Sequence, residues 1–78
     1  MASGFTIGAR VHIPELDGTW SIWSKAAEAP GAHFAIPADD QARATSVKYA
    51  VIKTVFDKQK AKHVTQLIRT DPATRSNR

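Results

Sequence analysis

A chain of 78 residues without a single cysteine has neither a disulfide nor a thiolate zinc site to hold it together. Its fold must come from packing, from a partner, or from metal ligation by histidine and carboxylate. There is room for one domain, and a chain of this length buries only about 60% of its unfolded surface, so stability is marginal and self-association would help. With 42% hydrophobic residues and two tryptophans the sequence is too apolar for a wholly disordered chain, and the charged fraction is that of an ordinary soluble protein. The lack of cysteine fits a reducing, cytoplasmic setting. No basic leader precedes an apolar run, and no stretch approaches the roughly 20 apolar residues that cross a bilayer, so the chain reads as neither exported by a visible signal nor membrane-spanning.

Turn residues divide the sequence into short pieces. Arg10 to Ile13 alternates polar and apolar, Trp20 and Ile22 share a period-2 face opposite Ser21 and Trp23, and Leu16-Asp17-Gly18 between them supplies turn chemistry, which predicts a hairpin. Ala26 to Gly31 reads as a loop, His33 to Ile36 as a third strand ended by Pro37, and Pro37 to Asp40 as a break holding a helical turn capped by Asp39. Ser46 to Phe56 is rich in β-branched residues (Val47, Val51, Ile52, Thr54, Val55) and reads as a strand, although Val47, Val51 and Val55 also sit at helical spacing. Residues 58–69 carry two readings. Ala61, Val64, Leu67 and Ile68 form a helical stripe with Asp57 as N-cap, or the segment is a strand that follows a hairpin tip at Lys58 to Lys62. The strand reading gives a mainly β, small antiparallel five-stranded barrel; the helix reading gives an α+β domain, an antiparallel sheet covered by one C-terminal amphipathic helix. In either case residues 5–69 form the domain, with mobile ends at 1–4 and 70–78.

Charge is distributed unevenly. Residues 1–40 hold Arg10 and Lys25 against five carboxylates, a net −3, whereas residues 41–78 hold nine lysines and arginines against Asp57 and Asp71, a net +7. A concentrated basic half points to a polyanion, DNA or RNA, bound through its backbone phosphates. Lys58, Lys60 and Lys62 recur every second residue, so on a strand or extended hairpin tip they project to one side about 7 Å apart, near the spacing of successive phosphates, whereas on a helix they would be spread around the cylinder. Lys53, Arg43 and Arg69 complete the candidate phosphate contacts. Four to six neutralised phosphates would give a log–log salt slope of about −3 to −5. The competing reading of such a run is a solvated, solubilising turn.

Trp20 belongs in the core by its parity with Ile22, which leaves Trp23 on the opposite face. Trp23 and Tyr49 are candidates for stacking on a base or filling a partner's pocket; coverage of both sheet faces is the plain structural alternative. His12, His33 and His63 form no close pair and read as surface residues, His63 extending the basic patch, and no metal site is expected. There is no nucleophile elbow, no phosphate-binding glycine loop and no usable carboxylate pair, so neither an enzyme nor a cofactor is expected.

The opening Gly8 to Trp20, Gly-Ala-Arg-Val-His-Ile-Pro-Glu-Leu-Asp-Gly-Thr-Trp, resembles the first hairpin of small KOW- or Tudor-type barrels, in which a glycine precedes a strand, a glycine-containing turn follows and an aromatic opens the second strand. The resemblance implies binding of nucleic acid or peptide. In its brevity and lack of enzyme motifs the chain also resembles small bacteriophage accessory proteins. The leading expectation is a basic, non-enzymatic nucleic-acid-binding module. Its rival is a protein-interaction or self-associating module, in which the opposite charges of the two halves and the apolar strand surfaces form the contact.

Overall fold

Among the described residues, five strands follow one another as an antiparallel meander: β1 (Arg10–His12), β2 (Thr19–Lys25), β3 (His33–Pro37), β4 (Val47–Asp57) and β5 (Lys62–Pro72), with one short helix, α1 (Asp40–Arg43), between β3 and β4. The computed structural model describes residues 5–72. Spatial order equals sequence order, β1-β2-β3-β4-β5. The fold is therefore mainly β, a five-stranded antiparallel sheet curled strongly into a half-barrel, and among the described residues its edges β1 and β5 are not paired with each other.

Local chemistry accounts for the punctuation. Gly18 holds φ +84 in the β1–β2 turn, a conformation that costs glycine little, and a Cβ there would lie 2.2 Å from the Ala42 backbone nitrogen. Asp39 caps α1: its carboxylate accepts from the Ala42 N–H at 2.8 Å and from the Thr19 N–H at 3.0 Å, tying the helical turn to the start of β2. The Ala42 hydrogen bond is the main cause that holds the Asp39 carboxyl below the usual aspartate range. At the opposite end of β4, Asp57 accepts from the Gln59 and Lys60 N–H groups, and Ala61 takes φ +55, closing a four-residue hairpin turn.

Curl has an identifiable origin. The strand registers slip at three places, leaving Trp23 unopposed in β2, Lys48 in β4 and Ile68 in β5. Each bulge bends its strand and increases local twist. The concave face thus wraps a core of Trp20, Ile22, Ala35, Ala50 and Ile52, closed by Ile13 and Ala42 and flanked by Phe5, Val11, Leu16, Val47 and Leu67. Trp20 is completely buried, and its indole N–H donates to the Asp17 carbonyl at 3.1 Å, so its polar atom is satisfied. Alanines at 35, 42 and 50 leave room for that ring.

Of the two readings of residues 58–69 the structure has the turn and strand of the five-stranded fold, not the amphipathic helix, because Val64 and Leu67 pair with Val55 and Ile52 across the hairpin. Two other readings of the sequence need correction. The tail does not start at Thr70: Thr70, Asp71 and Pro72 pair with Ala50, Tyr49 and Val47, and a strand-end proline at a sheet edge removes no needed donor. His33 is no surface residue. It shares the concave side with Ala35, is 6% exposed, meets Phe5 edge-on and places Nδ1 3.1 Å from the Gly31 carbonyl. The ends expected at 1–4 and 73–78 lie outside the described residues.

Candidate nucleic-acid interface

Pairing between β3 and β4 ends at His33 and Ile52. Beyond that point β4 continues for five residues, Lys53 to Asp57, paired on one side only, with Lys62 to Gln66 of β5. At about 3.3 Å per residue this two-stranded ribbon projects roughly 16 Å past β3 before the turn. The molecule is accordingly elongated, 45 × 24 × 21 Å.

The ribbon concentrates positive charge. Lys58, Lys60 and Lys62 are exposed at its tip, and Lys53 is half-buried at its base. Four lysines therefore share the ribbon with one carboxylate, Asp57, which is occupied in capping the turn. The three tip lysines do not alternate along a strand, since residues 58–61 form the turn and only Lys62 belongs to β5. Lys58 and Lys60 lie in the turn, and Lys62 opens β5 directly after it.

The other two sequence-derived phosphate contacts lie elsewhere. Arg43 is on α1, at the far end of β4, and pairs with Asp40 at 3.2 Å. Arg69 is on the convex face between two carboxylates: its Nε donates to Glu28 at 2.8 Å, a second nitrogen also reaches Glu28, and Nη1 lies 2.6 Å from Asp71. Hydrogen bonding to Asp71 and Glu28 raises the Arg69 pKa further above its ordinary value. The same contacts from Arg69 lower the Glu28 and Asp71 carboxyls. This arginine is matched by more negative charge than it carries.

Trp23 and Tyr49 are brought together on that convex face. Their ring centroids are 6.2 Å apart, with Phe34 at 5.9 Å from Trp23 and 5.4 Å from Tyr49. The bulge at Trp23 directs its indole outward, and it is 53% exposed. Tyr49 is held from the side: hydrogen bonding to Asp71 raises its phenol pKa. Beside these rings stand Glu28 and Asp71 against Arg69, an arrangement that repels phosphate. The aromatic cluster and the lysine ribbon are thus separate features.

One residue of the ribbon escaped the sequence. Phe56 shares the parity of the core residue Ile52, which marks it as buried, but it lies beyond the reach of β3 and is 54% exposed, meeting His63 edge-on at 5.3 Å. Only the extent of β3–β4 pairing separates the two cases. Phe56 also borders a cleft of about 480 Å³ between the ribbon and Pro14 and Glu15 of the β1–β2 turn. Among the described residues no cluster of histidine and carboxylate is placed to hold a metal ion, and no helix is long and apolar enough to cross a membrane. Compared with protein-family models, with curated proteins and with solved structures, the chain finds no match.

Proposed function

We propose that the protein is a small, non-enzymatic nucleic-acid-binding module whose β4–β5 ribbon engages backbone phosphates. The observation that carries this reading is that Lys58, Lys60 and Lys62 are exposed at the tip of a projecting ribbon, with Lys53 at its base and a single carboxylate, Asp57, in the sequence between Lys53 and Gln66. Lysine ammonium groups on a ribbon reach phosphates from several angles, and counterion release then supplies affinity without sequence readout. From the acidic first half, Glu15 is the carboxylate that borders the ribbon's cleft. Titration of labelled single- and double-stranded oligonucleotides at low salt tests the proposal: binding that disappears when Lys58, Lys60 and Lys62 are replaced together supports it, and no binding of either form overturns it.

A second reading rests on the convex cluster. A tryptophan exposed to this degree beside Phe34 and Tyr49, bordered by Glu28 and Asp71, suits a protein partner with a cationic rim, including the lysine ribbon of a second copy. Light scattering separates the two: an oligomer that dissociates on Trp23→Ala and ignores nucleic acid favours this reading.

A further inference from the structure

The cleft beside Phe56 combines features that the phosphate contacts alone do not require. Phe56, Val55, Val64 and Pro14 are the apolar residues that border it. Lys58 and Lys60 border it too, and Thr65, Gln66 and Glu15 supply hydrogen-bonding groups. A volume of about 480 Å³ falls within the range of small-molecule sites and exceeds that of a single nucleobase. A large ring left exposed near the tip of a hairpin contributes little to the core, since Phe56 lies beyond the last β3–β4 pair.

Stacking of a base on an aromatic ring beside a positively charged track is the recurring device by which proteins hold single strands, because every base offers a π-face and every nucleotide a phosphate. A base inside a duplex has both faces occupied by its neighbours. A ring of this kind is therefore used when bases are unstacked, as in single strands, loops and ends. Two carboxylates border the cleft with these lysines: Asp57, which accepts from the Gln59 and Lys60 N–H groups of the turn, and Glu15. With the phosphate on the Lys58 and Lys60 side, Glu15 is left as a hydrogen-bond acceptor for the base edge.

We infer that this cleft receives one unpaired nucleotide of a single-stranded nucleic acid, with its base stacked on Phe56 and its phosphate on Lys58 and Lys60. The inference rests on the ribbon's being the nucleic-acid-binding element. Its test is fluorescence anisotropy with a labelled single-stranded oligonucleotide and a duplex of equal length, on the wild-type chain, Phe56→Ala, Phe56→Trp and the Lys58→Ala/Lys60→Ala pair, with circular dichroism to verify folding. Loss of one base stack weakens single-strand binding about 5- to 150-fold. Phe56→Ala should show that loss with unchanged duplex affinity and an unchanged salt slope, while Phe56→Trp retains binding. The lysine pair should weaken both substrates. Equal affinity of wild type and Phe56→Ala for the single strand overturns the inference while leaving the phosphate-binding ribbon intact. Failure of the wild-type chain to bind either form overturns both.

Discussion

Replacing the ribbon lysines should change the salt dependence of nucleic-acid binding by a calculable amount. The sequence offers six candidate phosphate contacts, but Arg69 is matched by Glu28 and Asp71, and Arg43 stands at the other end of β4 beside Asp40. Four cations remain on the ribbon: Lys53, Lys58, Lys60 and Lys62. If all four contact phosphate, counterion release gives a log–log slope of about −2.8 on a single strand and about −3.6 on duplex DNA. Between 50 and 200 mM salt, affinity then falls about 50-fold on the former and about 150-fold on the latter. Each of Lys58→Ala, Lys60→Ala and Lys62→Ala should reduce the slope by about 0.7 or 0.9 respectively. Arg43→Ala should leave it unchanged. Anisotropy titrations at four or five salt concentrations measure every one of these slopes. A wild-type slope steeper than about −5, or one that Arg43→Ala lowers as much as Lys60→Ala does, would refute the assignment of charge to the ribbon.

Other perturbations report on the scaffold that presents the ribbon. Gly18→Ala combines a left-handed backbone with a Cβ 2.2 Å from the Ala42 nitrogen, so thermal melting should show a loss beyond the about 1–3 kcal/mol of a strained residue; a melting temperature equal to wild type would contradict the packing of the β1–β2 turn on α1. Trp20→Ala, at a completely buried ring, should cost about 3–5 kcal/mol in chemical denaturation, whereas Trp23→Ala should leave the midpoint near wild type. Acid should weaken the fold through Glu28, Asp39 and Asp71, whose carboxyl pKa values are lowered on folding. Their stabilisation is present above the unfolded carboxylate range near pH 4 and is lost as pH falls through the lowered folded values. Melting temperature should therefore decline below that point, and Arg69→Met should flatten the part of the decline due to Glu28 and Asp71.

Much of the fold was legible because its signals are local. Gly18, Pro37 and the Asp39 cap mark the breaks between elements, and alternation around Trp20 and Ile22 assigns the inner face of β2. Residues 58–69 were ambiguous for a physical reason: Val64, Leu67 and Ile68 satisfy a helical stripe, and only pairing with a β4 long enough to extend past β3 decides for a strand. The site was less legible. A basic second half is evident from composition, yet the division of its charges depends on contacts between residues far apart in sequence, as when Glu28 meets Arg69. Phe56 was hidden by the same non-locality, since its exposure follows from where β3 stops. The buried His33 depends on Phe5, 28 positions earlier.

Backbone amide NMR of the wild-type chain, with an oligonucleotide added stepwise at low salt, locates the contact directly. Shifts concentrated in residues 53–66, with Trp23, Tyr49 and Arg69 unmoved, are the predicted result. Shifts centred on the aromatic convex face, or none anywhere, would contradict a lysine-bearing ribbon as the seat of binding.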